Sequence, residues 1–432
     1  IDKNWKNTLI KNLPEAICVG ITSMTGIQIG HALSASNIVK EHSNIPVVWG
    51  GVHASLVPEQ TLQNNNIDIV VIGEGDVTFH EVVKSLDNKT PIQFVKGIYY
   101  KSDGRIHKTE PRPFTDLNSI PSVPYDLVNI LQYMPLFDGI PTLYIQTSRG
   151  CPNNCSYCYN PVFNKRKWRS LSAEKTLEML KYLIEYQQVK SFYIVDDDFF
   201  VDIKRVEQIC QGIIDNGWNR WIIWESQGIN IKTALRLTDE QLSLIELAGC
   251  RKVHFGIESG SEKILNLVHK NITTEQVKEV SDKFKKHNII CQYNFMAGFP
   301  EETEEDIKKT IELAFWLMNN SDNSIISPFC TYTPYPGTEL YDCAIREGHK
   351  QFVSIEEWSK TDYGNPPWSS AERNEILKKL FFTSLFLHGS RNMVFSPALK
   401  VLADLYKPIA RYRIKHFYFK YMIEMWMKEL LI

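Results

Sequence analysis

The chain reads as an α/β protein built from two successive strand-and-helix blocks and a mainly helical tail, and three features of its 432 residues carry that reading. Over residues 1–110, short apolar runs that end in glycine-rich turns alternate with helical spacing. Over residues 141–340, six apolar runs follow one another, the first five each succeeded by a helical pattern and the last closed by Pro334 to Thr338. Over residues 341–432 the strand signal stops, and aromatic and basic residues interleave. Strands separated by helices imply parallel pairing, because a parallel neighbour is reached only through a long crossover. Residues 111–140 read as a linker between the blocks.

Composition narrows the function classes. The length suffices for two or three domains with a large core. A net charge of −2 gives no electrostatic sign of nucleic-acid binding. Nine cysteines, an odd number of which only three are clustered, argue against a secreted disulfide framework and for a reducing, cytoplasmic setting. No uninterrupted apolar run reaches the roughly 18 residues of a membrane-spanning helix. The chain opens Ile1-Asp2-Lys3 with no basic and apolar leader, so the expectation is that it starts inside a domain and lacks its first strand or two.

In the first block, Ala16 to Ile21 forms a short apolar strand ending in the polar loop Thr22 to Gly26, and Ile27 to about Glu41 has helical spacing. Ile45 to Trp49 closes on Gly50-Gly51, and Ile67 to Ile72 closes on Gly73-Glu74-Gly75. These strands predict an open parallel sheet whose ligand crevice lies at their carboxyl ends, where glycines let backbone approach a ligand. Glycines that merely make turns explain the same spacing.

The second block begins with Thr142 to Gln146 and runs into Cys151-Pro-Asn-Asn-Cys155-Ser-Tyr157-Cys158. Three thiols at C-x3-C-x2-C can converge on an iron–sulfur cluster and leave one iron of a cubane without a protein ligand. A zinc site would want a fourth Cys or His at recognisable spacing, and no second C-x2-C or H-x3-H occurs. Further strands are expected at Lys190 to Val195, Trp221 to Trp224, Lys252 to Ile257, Asn288 to Phe295 and Ile325 to Tyr332. They end in Asp196-Asp197-Asp198, in Glu225-Ser226-Gln227 and in Glu258, so carboxylates collect where strands end. The aspartate run also reads as a solvated or capping cluster and, with less weight, as a site for a hard cation. Cys210, Cys250, Cys291, Cys330 and Cys343 fall in helix or strand patterns and read as core.

In the tail, Phe352 to Trp368 reads as an aromatic loop, and Ser370 to Phe386 as an amphipathic helix with a capping signal at Ser370. Beyond it, Lys400, Lys407, Arg411, Arg413, Lys415, Lys420 and Lys428 interleave with Tyr406, Tyr412, Tyr421 and Trp426, against Asp404, Glu424 and Glu429. Pro408 is expected to interrupt any single long helix there. The segment either packs on the second block or lies on an anionic membrane surface.

The cysteine motif, with Tyr157 just before its third thiol, resembles that of the radical SAM enzymes. Tyr99-Tyr100, Pro121 to Asp126, Thr147 to Gly150, Trp49 to Ala54 and Ile72 to Asp76 resemble the cobalamin-binding subgroup, and the likeness covers roughly residues 16 to 340. The resemblance implies an N-terminal Rossmann-like cobalamin-binding domain, a partial (β/α)6 barrel and a helical C-terminal extension. It implies that Cys151, Cys155 and Cys158 hold a [4Fe-4S] cluster whose open iron takes S-adenosylmethionine. Asp197, Asp198, Gln227 and Glu258 would meet its ammonium and ribose groups, and Tyr157 with Phe295 to Pro300 its adenine. Ser23, Thr25, Gly50, Gly51, His53, Glu74 and Gly75 would contact the corrinoid, without a histidine bound to cobalt.

The function so implied is methylation of an unactivated carbon, initiated by a 5′-deoxyadenosyl radical, with cobalamin as methyl carrier and no side chain needed as acid or base. An oxidative cyclisation on the same cofactors is the second reading, as in the anaerobic cyclases of bacteriochlorophyll synthesis. A non-catalytic cobalamin or redox sensor is the third. The partners implied are a small-molecule or lipid-like substrate and an external flavodoxin-type or ferredoxin-type electron donor. The expected location is the cytoplasm, with contact at the inner membrane face through the tail.

Overall fold

The structure is a computed structural model that describes residues 4–137, 139–361, 370–389, 397–420 and 424. Contacts group the described residues into two units, neither continuous in sequence. One comprises Ile1–Ile120, Tyr157–Lys165 and Thr333–Ser369; the other comprises Pro121–Ser156, Arg166–Tyr332 and Ser370–Ile432. The segment 341–432 is therefore shared, its first part grouping with the N-terminal sheet. Tyr421, Trp426, Lys428 and Glu429, and Trp368 in the aromatic stretch, lie outside the described residues.

In the first unit, β1 (Val19–Thr22), β2 (Val47–Gly50) and β3 (Ile69–Val71) pair in parallel in that order. Helix α1 (Ile27–His42) crosses from β1 to β2. The central strand is buried along Val47, Val48 and Trp49, as a strand covered on both faces must be. The sheet then departs from the all-parallel expectation, because β4 (Ile98–Ser102) and β5 (Arg105–Lys108) join it as an antiparallel hairpin. Its two-residue turn, Asp103-Gly104, has φ of 51° and 69°, the twist that suits a tight hairpin. Ile29, Leu33, Val39 and Trp49 form one core with Phe352, Ile355 and Trp358, so the aromatic stretch is not only loop: Ile355–Trp358 is a short helix.

In the second unit six parallel strands stand in chain order, β6 (Leu143–Ile145), β7 (Ser191–Ile194), β8 (Ile223–Ser226), β9 (Cys250–Glu258), β10 (Ile290–Ala297) and β11 (Ser324–Ile326). Neighbours in sequence are neighbours in the sheet, and β6 and β11 stay apart as its two edges, as in a partial barrel. The expected last strand is split: Cys330–Thr331 pairs separately with β10, and Pro328, which has no N–H to give a ladder, lies between the pieces. Helices α2 (Ala173–Lys181), α3 (Ile203–Asp215), α4 (Asp239–Leu247), α5 (Thr274–Phe284) and α6 (Glu304–Asn320) follow successive strands. Thr238, Thr273 and Thr303 open three of them with reciprocal capping boxes.

Two further helices belong to this unit. Helix α7 (Ala371–Ser384) is capped by Ser370, whose hydroxyl accepts the Arg373 N–H. Helix α8 (Pro397–Lys415) runs through Pro408, against the expectation of a break. A proline forfeits one hydrogen bond, and here the buried residues Ala403, Tyr406, Ala410 and Ile414 on both sides of it keep the helix seated.

Candidate cofactor sites

Strand β7 runs directly into Asp196-Asp197-Asp198, and those carboxylates suspend the residues ahead of the first cysteine. Asp196, fully buried, accepts the Thr147 N–H and the hydroxyls of Thr147 and Ser148, each at 2.6 Å. Asp197 Oδ2 accepts the Gly150 N–H at 3.0 Å. Arg205 reinforces the same loop from α3, with Nη2 2.8 Å from Thr147 Oγ1 and Nε 2.7 Å from the Leu171 carbonyl. Asp198 accepts the Phe200 N–H at 3.2 Å, and its burial pushes its carboxyl up to about 7. The aspartate run is thus, in large part, the anchor of residues 147–150. Of the three, Asp196 is not among the residues expected to contact a cofactor, and Asp197 is the one left partly exposed.

The cysteine stretch divides between the two units after Ser156. In the second unit Ser156 is fixed by its N–H and hydroxyl to the carbonyls of Val268 and Leu267, at 3.1 and 3.0 Å. Cys151 and Cys155 are half-buried free thiols. Burial pushes the Cys151 thiol up to about 11, hydrogen bonds from Asn153 oppose this, and the charges of Asp198 and Cys155 add to it. Asn153 Nδ2 lies 3.2 Å from Cys151 Sγ. In the first unit Cys158 Sγ accepts the Asn160 N–H at 3.5 Å, and Tyr157 is half-buried. Nitrogen donors aimed at sulfur suit thiolates bound to iron, whose potential such hydrogen bonds tune.

Glu258 ends β9 with φ +70°, beside a register shift between Gly256 and Glu258 in the β9–β10 ladder. A side chain rarely adopts that conformation unless its surroundings impose it. They do so here: Lys270 Nζ pairs with Glu258 Oε1 at 2.8 Å in a buried setting. A Cβ on Gly256 would stand 2.5 Å from that oxygen and 3.0 Å from Lys270 Nζ, so the missing side chain makes room for the pair. Beyond Glu258, the Gly260 N–H meets Thr310 Oγ1 and the Ser261 hydroxyl meets Asp306, which staples the turn to α6. Gln227 sits exposed at the end of β8, its N–H bonded to the Ile194 carbonyl at 2.9 Å. Phe295 and Phe299 are buried against Phe329 and Tyr332.

Lys270 escaped the sequence reading because it lies on no strand. The inward face of β7 to β9 escaped it too. There Tyr193, Glu225, Lys252 and His254 meet, with Lys252 Nζ 2.9 Å and His254 Nε2 3.6 Å from Glu225 Oε2. The signal was the period of two along Lys252, His254 and Gly256, which puts all three on one face.

In the first unit the expected corrinoid contacts gather at the ends of the parallel strands. His53 is fully buried: its Nδ1 lies 3.0 Å from Thr25 Oγ1, its ring stands edge-on to Trp358, and burial lowers it to about 4. His53 Nε2 and Ser23 Oγ are buried without a hydrogen-bond partner among the described residues. Gly51, at φ +88°, has no room for a Cβ, which would fall 2.6 Å from Thr22 Oγ1. Glu74 precedes the helix Gly75–Asp87, and its Oε2 accepts the Thr115 N–H at 3.4 Å. A glycine turn flanked by two unsatisfied buried polar atoms fits a ligand rich in amides, and a histidine whose Nδ1 is held by a threonine fits a contact with the corrinoid periphery.

A family profile described as the radical SAM superfamily matches residues 145–314, and one described as the B12 binding domain matches residues 8–83. An uncharacterized methyltransferase of Pyrococcus horikoshii is 34% identical over 374 residues, 84% of this chain and 78% of that protein. The chain belongs to the cobalamin-binding radical SAM enzymes. The anaerobic magnesium-protoporphyrin IX monomethyl ester cyclase of Synechocystis is 26% identical over 75% of this radical SAM chain and 64% of its own length. The solved structure of the cobalamin-dependent S-adenosylmethionine radical enzyme OxsB, with aqua-cobalamin and S-adenosylmethionine bound, superposes with a TM-score of 0.72 at 17% identity, over 95% of this chain and 65% of that one. The chain thus spans under two thirds of the cyclase and of OxsB. As a cobalamin-binding radical SAM enzyme it uses a [4Fe-4S] cluster, S-adenosylmethionine and cobalamin.

Proposed function

We propose that this radical SAM enzyme methylates an unactivated carbon of a small or lipid-like substrate. The observation that carries the reading is the pairing of a cysteine loop hung from a strand end with a separate glycine cradle holding two polar atoms unsatisfied among the described residues, in a chain 34% identical to a protein named an uncharacterized methyltransferase. Cys151, Cys155 and Cys158 are the cluster ligands. Asp196, Asp197 and Arg205 hold the approach to Cys151 in one conformation. Glu258, with Asp197, Asp198, Gln227 and Tyr157, binds S-adenosylmethionine; a carboxylate at a strand end suits its ammonium. Ser23, Thr25, Gly50, Gly51, His53, Glu74 and Gly75 cradle the corrinoid, His53 as a neutral hydrogen-bonding group. When bound, the cofactors supply a deoxyadenosyl radical for hydrogen abstraction and a methyl group for transfer. The chain itself binds, orients and excludes water, and the electron comes from an external donor of the flavodoxin or ferredoxin type.

Cyclisation is a second reading, favoured by the 26% identity to the cyclase. Single turnover of the reduced, cobalamin-loaded protein separates the readings. Methylation predicts 5′-deoxyadenosine together with S-adenosylhomocysteine; 5′-deoxyadenosine alone favours cyclisation, and neither product favours a sensor.

A further inference from the structure

Helix α8 is apolar on two separate faces. Its inner face, Ala403, Tyr406, Ala410 and Ile414, is buried in the second unit. On the outer face Leu402, Leu405, Ile409 and Tyr412 recur at i, i+3, i+7 and i+10, and with Val401 beside them they are 47% to 68% exposed. At 3.6 residues per turn these five side chains form one outward stripe. No Asp, Glu, Lys or Arg falls within it. On one side of it Lys415 borders the stripe, and Arg411, whose Nε donates to the Leu387 carbonyl, Lys400 and Lys407 follow around the helix, with the single acid Asp404 among them. A surface helix ordinarily turns its charges outward, so an apolar stripe of this length marks a contact surface.

We propose that α8 lies flat on an anionic lipid bilayer, its outer stripe in the headgroup and acyl boundary and its basic flank against the lipid phosphates. Charge and shape select this occupant. A second copy of the face would match the apolar stripe but bring the same sign of charge, whereas an anionic bilayer offers both hydrocarbon and counter-charge. The 19 residues of α8 reach about 28 Å along the surface. None of the described helices is long and apolar enough to cross a membrane, so the contact is one of lying on the surface. The inference does not depend on which reaction the enzyme catalyses.

Co-sedimentation of the full chain with phosphatidylcholine vesicles, with and without phosphatidylglycerol and at low and high salt, tests the proposal. Binding is expected to need phosphatidylglycerol and to weaken with salt. Leu405→Glu with Ile409→Glu is expected to lower partitioning roughly tenfold or more, with the circular dichroism spectrum and iron content unchanged. Lys400→Glu with Lys415→Glu is expected to weaken binding in the phosphatidylglycerol arm alone. Absence of vesicle binding, or binding that survives the Leu405 and Ile409 changes, overturns the proposal. A dimer in solution that those two changes convert to a monomer, without vesicle binding by either form, assigns the face to a second copy and overturns it as well.

Discussion

Glu258 occupies a backbone conformation that costs on the order of 1 kcal/mol for a residue with a side chain, and Lys270 holds its carboxylate in place. Strain kept at a strand end by a buried ion pair is what a preorganised ligand contact requires. Replacing Glu258 with Ala should weaken S-adenosylmethionine binding by about tenfold or more while iron content stays full, measured by calorimetric titration of the reconstituted protein. Unchanged affinity would remove Glu258 from the site. Glu302 makes a different kind of prediction. Burial raises its carboxyl from near 4.5 to about 7, against the opposing Gly298 N–H and Arg373. The folded chain therefore holds this proton more tightly than the unfolded chain does, and stability falls as pH rises from about 4.5 to about 7, then levels off. Glu302→Gln keeps an oxygen for Gly298 and has no proton to lose. Relative to wild type it should gain on the order of 2 kcal/mol between about pH 5 and about pH 8 in urea denaturation; a pH-independent difference would contradict the assignment.

At the scale of elements, the loop from Thr147 to Gly150 depends on the aspartates that end β7. Asp196→Ala would leave two hydroxyls and a backbone N–H unsatisfied and take a counter-charge from Arg205. The expected cost is about 3 kcal/mol, with lower iron retention after desalting, because the approach to Cys151 would no longer be fixed. Retained stability and full iron would show that Cys151 is positioned by other means. Much at this scale was legible in the sequence. The first five strands of the second unit and the glycine-closed strands of the first follow from local pattern, since period and turn chemistry are written within a few residues of one another, whereas the sixth strand ends early at Ile326. The hairpin of β4 and β5 was missed, although Asp103-Gly104 between alternating residues carries its signal. What else stayed hidden depends on distant parts of the chain. Trp358 closes over His53 from about three hundred positions away, Lys270 reaches Glu258 from the far side of a helix, and the packing of α8 outweighs the proline inside it. Asp196 shows how a residue beside expected cofactor contacts can serve a different purpose, holding Thr147 and Ser148. The spacing of the three aspartates marked the strand end, but only the Thr147, Ser148 and Gly150 contacts separate an anchor from a cofactor contact.

The whole molecule combines a sheet that carries a glycine cradle with a partial barrel whose strand ends carry carboxylates, and the cysteine stretch contributes to both units. The proposed assembly rests on Cys151, Cys155 and Cys158 holding a cluster with one iron open to S-adenosylmethionine. The direct measurement is electron paramagnetic resonance of the anaerobically reconstituted and reduced protein, with and without S-adenosylmethionine, beside the variant with all three cysteines changed to Ala. The expected result is a reduced [4Fe-4S] signal that shifts when S-adenosylmethionine is added and is absent from the variant. A signal indifferent to S-adenosylmethionine, or full iron content in the variant, would contradict the claim.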